Sequence, residues 1–367
     1  MRKIGLIVNP IAGLGGRLGF KGSDGILAQR ALELGETSLA PQRTVEALQE
    51  IIHGMNDVTL LTYPSEMGQD EAVKSGINPV VMGTIHVGQT TAEDTKRAVR
   101  EMIQEGAELI IFSGGDGTAR DIMDMVDEKI PVLGIPAGVK MHSGVFAINP
   151  RLAGKLVLNF LSSQISTRLE EVVDYDNEGN LKLYGYMSVP YEEELIQESK
   201  SLVPAYGNDE TWIASGIIEE ITDDCAYIIG PGTTAKAFMK VLGLTYTLLG
   251  VDVVRSRKIL ILDANETQLL NIVNRFNSKI LVGVVGGQGF LFGRGNQQIS
   301  PNVIRRVGKE NLIVVATEGK IASLKGRPLL VDSGDQQLDQ SLVGYIKVNT
   351  GYRLSVICRV AQSRTQA

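Results

Sequence analysis

Cysteine is almost missing from this sequence: 367 residues contain two, Cys225 and Cys358. So few exclude a disulfide-stapled secreted domain and any cysteine-based metal spacing, and they fit a reducing cytoplasm. Long hydrophobic runs are missing too, since no stretch approaches the ~18 apolar residues of a membrane span. No basic amphipathic segment suited to a membrane surface stands out either. Positive charge is in deficit, with 36 Lys and Arg against 42 Asp and Glu for a net charge of −6. That balance argues against a nucleic-acid partner held by bulk charge. A polyanionic small ligand is still compatible, because a few local cations and backbone amides can hold it. The Gly-x-x-x-x-Gly-Lys-Ser/Thr string of P-loop ATPases does not occur. Nor does a strand-linked Gly-x-Gly-x-x-Gly with an acidic residue ~20 positions on, which weakens a dehydrogenase reading.

What the sequence has in surplus is glycine, 41 residues in a chain that is 43% hydrophobic and 21% charged. At ~150 residues per domain the length predicts two domains, with ample material for a large core. The first residues, Met1 to Val8, hold too short an apolar stretch for a signal peptide, and Ile4–Val8 reads as a first strand. Further strands are expected at Val58–Thr62, Pro79–Thr84, Leu109–Phe112 and Pro131–Ile135. Helical patterns lie between them, among them Ala92–Gln104 and Thr118–Val126. Such alternation predicts an α/β fold with a mostly parallel sheet, whose ligands sit at the carboxyl ends of the strands.

After Asn149-Pro150 the rhythm changes. Arg168–Tyr175 and Leu181–Val189 read as a hairpin around Asp176-Asn177-Glu178-Gly179, and the tail from Leu312 is rich in short strands. The expected organisation is an α/β nucleotide-binding domain over 1–150 and a mixed, β-rich substrate domain over 151–330. Residues 331–367 supply tail strands that can return to the first domain.

The glycines cluster where strands end. The first cluster runs from Asn9-Pro10-Ile11-Ala12-Gly13 to Gly25, with Arg17 and Lys21 embedded. There a loop can offer N–H groups and two cations to phosphate, although a plain flexible loop fits as well. The second is Ser113-Gly114-Gly115-Asp116-Gly117-Thr118, between a strand and a helix that Thr118 is expected to cap. A carboxylate beside bound phosphate is unfavourable alone, so Asp116 makes sense if it handles a proton or a Mg²⁺ ion. A glycine-rich turn with an incidental Asp is the competing account. The third cluster, Gly134 to Gly144, carries Gly138 and Lys140 as phosphate contacts, and His142 as a turn residue rather than a shuttle. The fourth, Gly230-Pro231-Gly232-Thr233-Thr234-Ala235-Lys236, suits ribose or phosphate. A fifth, Gly283 to Asn296, has no assigned partner.

Taken together these motifs carry a resemblance. Gly114-Gly115-Asp116-Gly117-Thr118 matches the signature shared by NAD kinases, diacylglycerol-type lipid kinases and, more distantly, phosphofructokinases. Asn9-Pro10-Ile11-Ala12-Gly13 resembles the Asn-Pro-x-x-Gly opening of that superfamily. Pro231 to Lys236 resembles the Thr-Gly-Ser-Thr-Ala-Tyr segment by which NAD kinases hold their dinucleotide. The long opening loop and Pro136-Ala137-Gly138-Val139-Lys140 are similar to the ATP-NAD kinase-like branch that includes the acetoin-catabolism X protein.

The resemblance implies a Rossmann-like amino-terminal domain, a β-rich carboxyl-terminal domain and ligands in the cleft between. It implies that Asp116 takes the proton from the adenosine ribose 2′-hydroxyl of NAD, which attacks the terminal phosphoryl group of ATP or polyphosphate. Gly114, Gly115, Gly117 and Thr118 would cradle phosphate, Asn9 and Gly13 would line the nucleotide side, and Gly232, Thr233 and Thr234 would face the dinucleotide. NADP is then the product, Mg²⁺ or another divalent cation the companion of the donor, and a cytoplasmic homo-oligomer the expected form.

Three departures bear on the acceptor. The Asn-Glu pair that NAD kinases carry between the two glycine motifs has its only counterpart in that interval in Asn177-Glu178, which reads as a hairpin turn. Lys236 stands where those enzymes have tyrosine, and Gly134–Lys140 is closer to the lipid-kinase version. A kinase of another small alcohol or lipid, and a nucleotide-binding regulator without turnover, are therefore the alternatives.

Overall fold

A computed structural model of the chain describes residues 2–20, 25–54, 58–126, 130–139, 141–176, 181–192, 195–196 and 209–362. The chain divides into two compact units, Met1–Leu14 with Gly22–Ser199, and Gly15–Lys21 with Lys200–Ala367.

The first unit opens with β1 (Arg2–Val8), α1 (Gly25–Glu33), α2 (Ala40–Ile51), β2 (Val58–Thr62) and α3 (Gln69–Lys74). It continues through β3 (Val80–Val81), α4 (Ala92–Gln104), β4 (Leu109–Gly114), α5 (Asp116–Met123) and β5 (Val132–Pro136). Then come α6 (Pro150–Leu161) and the antiparallel pair β6 (Thr167–Tyr175) and β7 (Leu181–Pro190). Among the described residues a parallel sheet forms in the order β3-β2-β1-β4-β5. Every residue of β4 and β5 is buried, which is why both read as unbroken apolar runs instead of alternating ones.

Helix α4 shows how these helices dock. Thr91 and Asp94 form its capping box, and Thr95, Ala98, Val99 and Met102 are its buried stripe at helical spacing. Gly5 lets α4 approach β1, since a Cβ there would meet Met102 Sδ at 2.7 Å. The strand expected over Pro79–Thr84 shrinks to Val80–Val81, an exposed edge pair. Pro79 has no N–H to donate, and Gly83 turns the chain with φ +61°. The turn expected at Asn177 to Gly179 lies outside the described residues.

The second unit starts with α7 (Asp209–Glu219), β8 (Ala226–Ile229), α8 (Thr233–Val241), β9 (Asp252–Arg255), β10 (Lys258–Ile261) and α9 (Glu266–Arg275). It proceeds through β11 (Ser278–Gly283), β12 (Phe290–Phe292), α10 (Pro301–Val307), β13 (Leu312–Val315) and α11 (Glu318–Ser323). It closes with β14 (Leu329–Val331), α12 (Gln336–Leu342), β15 (Gly344–Gly351) and β16 (Leu354–Gln362). Among the described residues its strands form a mixed sheet in the order β10-β9-β8-β11-β13-β15-β16-β14-β12.

Alternation along these strands feeds two cores, one on each face. Ile228, Ile280, Val282 and Val314 join one with helices α9, α10 and α12, while Tyr227, Ile229, Leu281 and Val315 join the other with α7 and α8. The fifth glycine cluster finds its partner in β14. A Cβ on Gly293 would lie 1.9 Å from the Asp332 carbonyl oxygen, and Arg294 pairs with the Asp332 carboxylate at 2.8 Å, both side chains buried.

Candidate functional site

Strand order in the first sheet reverses between β1 and β4, and the glycine clusters after these two strands flank that point. In open parallel sheets this is where ligands bind. Asn9 follows β1: its backbone N–H donates to the Ser113 carbonyl (2.9 Å), its side-chain oxygen accepts from Ile11 N–H (3.2 Å), and its amide donates to Thr118 Oγ1 (2.9 Å). Thr118 therefore does not cap α5 as expected. Gly115 is the N-cap, and Thr118 sits in the first turn with its hydroxyl turned to Asn9.

The loops after β1, β4 and β5 press backbone against backbone. Ala137 and Gly138 N–H groups donate to the Gly114 carbonyl at 3.0 and 2.9 Å. A Cβ on Gly138 would lie 2.7 Å from Gly115 Cα, and one on Gly13, whose φ is +83°, would lie 2.5 Å from the Ala137 carbonyl oxygen. A Cβ on Gly114 would meet Thr118 Oγ1 at 2.5 Å, whereas Gly117 is exposed with open space around it. Asn9, Gly13, Gly114, Gly115, Gly117, Thr118 and Gly138 are thus one assembly. Lys140 lies outside the described residues.

Asp116 begins α5 and is 4% exposed. Among the described residues three donors hold its carboxylate. Ser143 N–H (3.0 Å) and Ser143 Oγ–H (2.6 Å) reach Oδ1, and His142 N–H (2.7 Å) reaches Oδ2. Burial pushes its pKa up to about 7 from an ordinary 3.8, the three donors pull it down, and the nearby Asp174 charge raises it again. Asp174 pairs with Arg120 at 3.1 Å, and that guanidinium lies 3.9 Å from the centre of the Tyr184 ring. His142 serves Asp116 through its backbone, while its ring packs edge-on against Tyr175.

Within the second unit, Gly232 caps α8 with φ +99° at the carboxyl end of β8. Thr233 and Thr234 hydroxyls both donate to Glu210 Oε1, at 2.7 and 2.9 Å, and Lys320 Nζ donates to Thr234 Oγ1 at 2.7 Å. Lys236, read from the sequence as a ligand contact, has another partner here. It is 1% exposed, paired with Asp252 at 2.8 Å and bonded to the Ile229 carbonyl. Thr247 and the Asp263 N–H complete the shell of Asp252. Arg17 also belongs to this unit, where its carbonyl accepts from Glu266 N–H at 3.0 Å. Lys21 lies outside the described residues.

Ser143, Glu210 and Lys320 escaped the sequence reading. Ser143 lies in the third glycine cluster, but nothing local ties it to Asp116, 27 residues away, or ties Glu210 to Thr233, 23 away. Among the described residues no group of three or more His, Cys, Asp or Glu gathers to hold a metal ion. No helix among them is long and apolar enough to cross a membrane.

Residues 4–165 match the ATP-NAD kinase N-terminal domain, and residues 222–360 match the ATP-NAD kinase C-terminal domain. Matches in that order define the class of two-domain α/β kinases. The chain belongs to the ATP-NAD kinase family. Similarity is also found to solved structures described as diacylglycerol kinases from Bacillus anthracis str. Sterne. One is 14% identical with a TM-score of 0.26, another 16% identical with 0.23. Each comparison covers 50% of this chain and only 62% or 59% of the other, so the chain spans less than two thirds of their length. No curated protein matches it.

Proposed function

We propose that the protein is a kinase that moves a phosphoryl group from ATP, or polyphosphate, to the 2′-hydroxyl of the NAD adenosine ribose. Family membership supports the reaction class, and the resemblance of Gly232-Thr233-Thr234 to a dinucleotide-holding segment supports the acceptor. The observation that carries the reading is Asp116. It stands on a glycine bend at the switch point of a parallel sheet, and among the described residues three donors hold it and leave one Oδ2 lone pair over. A poised carboxylate is what an alcohol nucleophile needs, because a ribose hydroxyl is weak until its proton has a destination.

In the step, the 2′-hydroxyl proton passes to Asp116 Oδ2 while the oxygen forms a bond to the terminal phosphorus. The bond from that phosphorus to its bridging oxygen breaks, and ADP or shortened polyphosphate leaves with the electron pair. Phosphoryl transfer asks a protein mainly for position and neutralised charge. Backbone N–H groups around Gly115 and Gly117 serve that at the start of α5. A divalent cation would neutralise donor oxygens, but the described side chains make no cage for one. It fits better as an ion carried in on the donor's phosphates.

The test is direct. Purified protein with Mg²⁺, NAD and ATP or polyphosphate should form NADP, and diacylglycerol offered instead should not be phosphorylated. Phosphorylated lipid without NADP would move the acceptor assignment, and no product with any donor would remove the kinase reading. Thermal stabilisation by NAD or NADP reports binding independently of turnover.

A further inference from the structure

The carboxylate of Asp116 has about four lone-pair positions, and the described residues fill three of them. Both positions on Oδ1 go to a single residue, Ser143, through its N–H and its hydroxyl. Among the described residues Oδ2 has one donor, the His142 N–H, and one position open. The asymmetry is built by residue 143.

Ser143 is itself held from the other side. Val173 N–H donates to Ser143 Oγ at 3.1 Å, and the Val173 carbonyl lies 3.0 Å from the same oxygen. Strand β6 slips register against β7 between Val172 and Val173, so Val173 turns both its polar groups to Ser143. The serine hydroxyl has one proton and two acceptors in reach, Asp116 Oδ1 at 2.6 Å and the Val173 carbonyl at 3.0 Å. When Asp116 is ionised, the shorter, charge-assisted bond holds that proton. When Asp116 is protonated, the hydroxyl can swing to Val173 without becoming a buried donor that lacks an acceptor.

We propose that Ser143 is a positioning residue that stabilises ionised Asp116 through Oδ1 and so leaves Oδ2 as the atom that receives the substrate proton. Its role in turnover rests on Asp116 being the base; its hold on the carboxylate does not. Among the described residues, the charged and titratable groups around Asp116 are Asp174 and Tyr175 on β6 and His142 in the loop, with Arg120 on α5 reaching it through Asp174. Arg120 is bound to Asp174, which tempers the like charge beside the base.

The experiment follows the Asp116 carboxyl directly, by carbon NMR of protein labelled at the Asp side-chain carboxyl, with Asp116→Asn assigning the resonance. Ser143→Ala should raise the Asp116 midpoint by about one pH unit, a tenfold change in the ionisation constant. Ser143→Cys keeps the shape with a weaker donor and should move it in the same direction by less, and Ser143→Thr should restore it. In the NADP assay the acid limb of kcat/KM should rise by the same amount, with KM for NAD changed less than twofold. An unmoved midpoint in both Ala and Cys variants overturns the proposal, as does a rate loss that is equal at every pH. A moved midpoint in a protein that makes no NADP keeps Ser143 as the holder of Asp116 and overturns only its part in the reaction.

Discussion

The amide of Asn9 donates to the hydroxyl of Thr118 over 2.9 Å, and so ties the end of β1 to the first turn of α5. These elements come from opposite sides of the point where the strand order reverses. With its N–H on Ser113 and its side-chain oxygen on Ile11, Asn9 is committed to shaping the loop. In the proposed reaction its contribution to a nucleotide would therefore be made through the position of the surrounding amides.

Asn9→Ala should cost about 1–2 kcal/mol, because the buried Thr118 hydroxyl loses its donor and the turn at Ile11 loses its acceptor. Urea unfolding measures that loss. KM for the nucleotide should rise with it, and a variant of unchanged stability would show that the bond holds nothing.

Gly138 and Gly117 predict opposite outcomes for the same change. At Gly138 a methyl group would lie 2.7 Å from Gly115 Cα, backbone that has nowhere to go, so Gly138→Ala should destabilise by about 1–3 kcal/mol. Gly117 has open space in the first turn of α5, so Gly117→Ala should keep or raise stability by up to about 1 kcal/mol. Its activity should still fall, because the added methyl occupies the space a phosphate would use. Thermal melts beside NADP assays separate the two.

Much of the first unit was readable because its signals are local. A glycine surplus at strand ends reports close approaches, and Gly13 and Gly138 each meet backbone while Gly114 makes room for the Thr118 side chain. Val58–Thr62 and Ala92–Gln104 could be delimited in the same way, from an apolar run and from a helical stripe. Partners were not readable. Lys236 has the same sequence appearance whether it faces phosphate or Asp252, and only the fold brings Asp252 to it. Thr118 looked like a cap because hydroxyls cap helices, but Asn9 claims it from 109 residues away. Strands β9 and β11 were missed in the second unit. Only Phe276 and Asn277 separate β11 from the end of α9, too short a connection to announce a new strand.

Asp116 predicts the pH dependence of turnover. A base must be ionised to accept a proton, so with its pKa pushed up to about 7 the rate should climb with pH and level off above that value. Asp116→Asn should lower turnover by about 10²–10⁴-fold. It should leave NAD binding within a few-fold, as read by thermal shift. Asn turns one oxygen into an NH₂ that must face either Ser143 or His142 donors, so a small stability change is expected as well. Full activity in this variant would remove Asp116 from the mechanism.

Lys236→Met should destabilise the second unit by about 3–5 kcal/mol, because Asp252 would keep its charge in a fully buried position without its ammonium partner. At temperatures where the variant stays folded, KM for NAD should be close to the parent value. A raised KM with unchanged stability would instead make Lys236 a ligand contact.

Glu71 sets a second pH dependence, this one of stability. Its side chain is buried in α3, and among the described residues Oε2 has no hydrogen-bond partner. Burial first, and the neighbouring Asp70 charge after it, push its pKa up to about 7 from 4.5. The folded chain thus keeps a proton that the unfolded chain releases near 4.5. Stability attributable to Glu71 is therefore full below that value and falls as pH rises from there to about 7. Glu71→Gln removes the ionisation while keeping the shape. The variant should match the parent near pH 5 and exceed it by about 1–2 kcal/mol at pH 8, a difference that cancels contributions from other titrating groups. Denaturant melts at the two pH values decide it, and an equal difference at both would mean that Glu71 stays ionised in the fold.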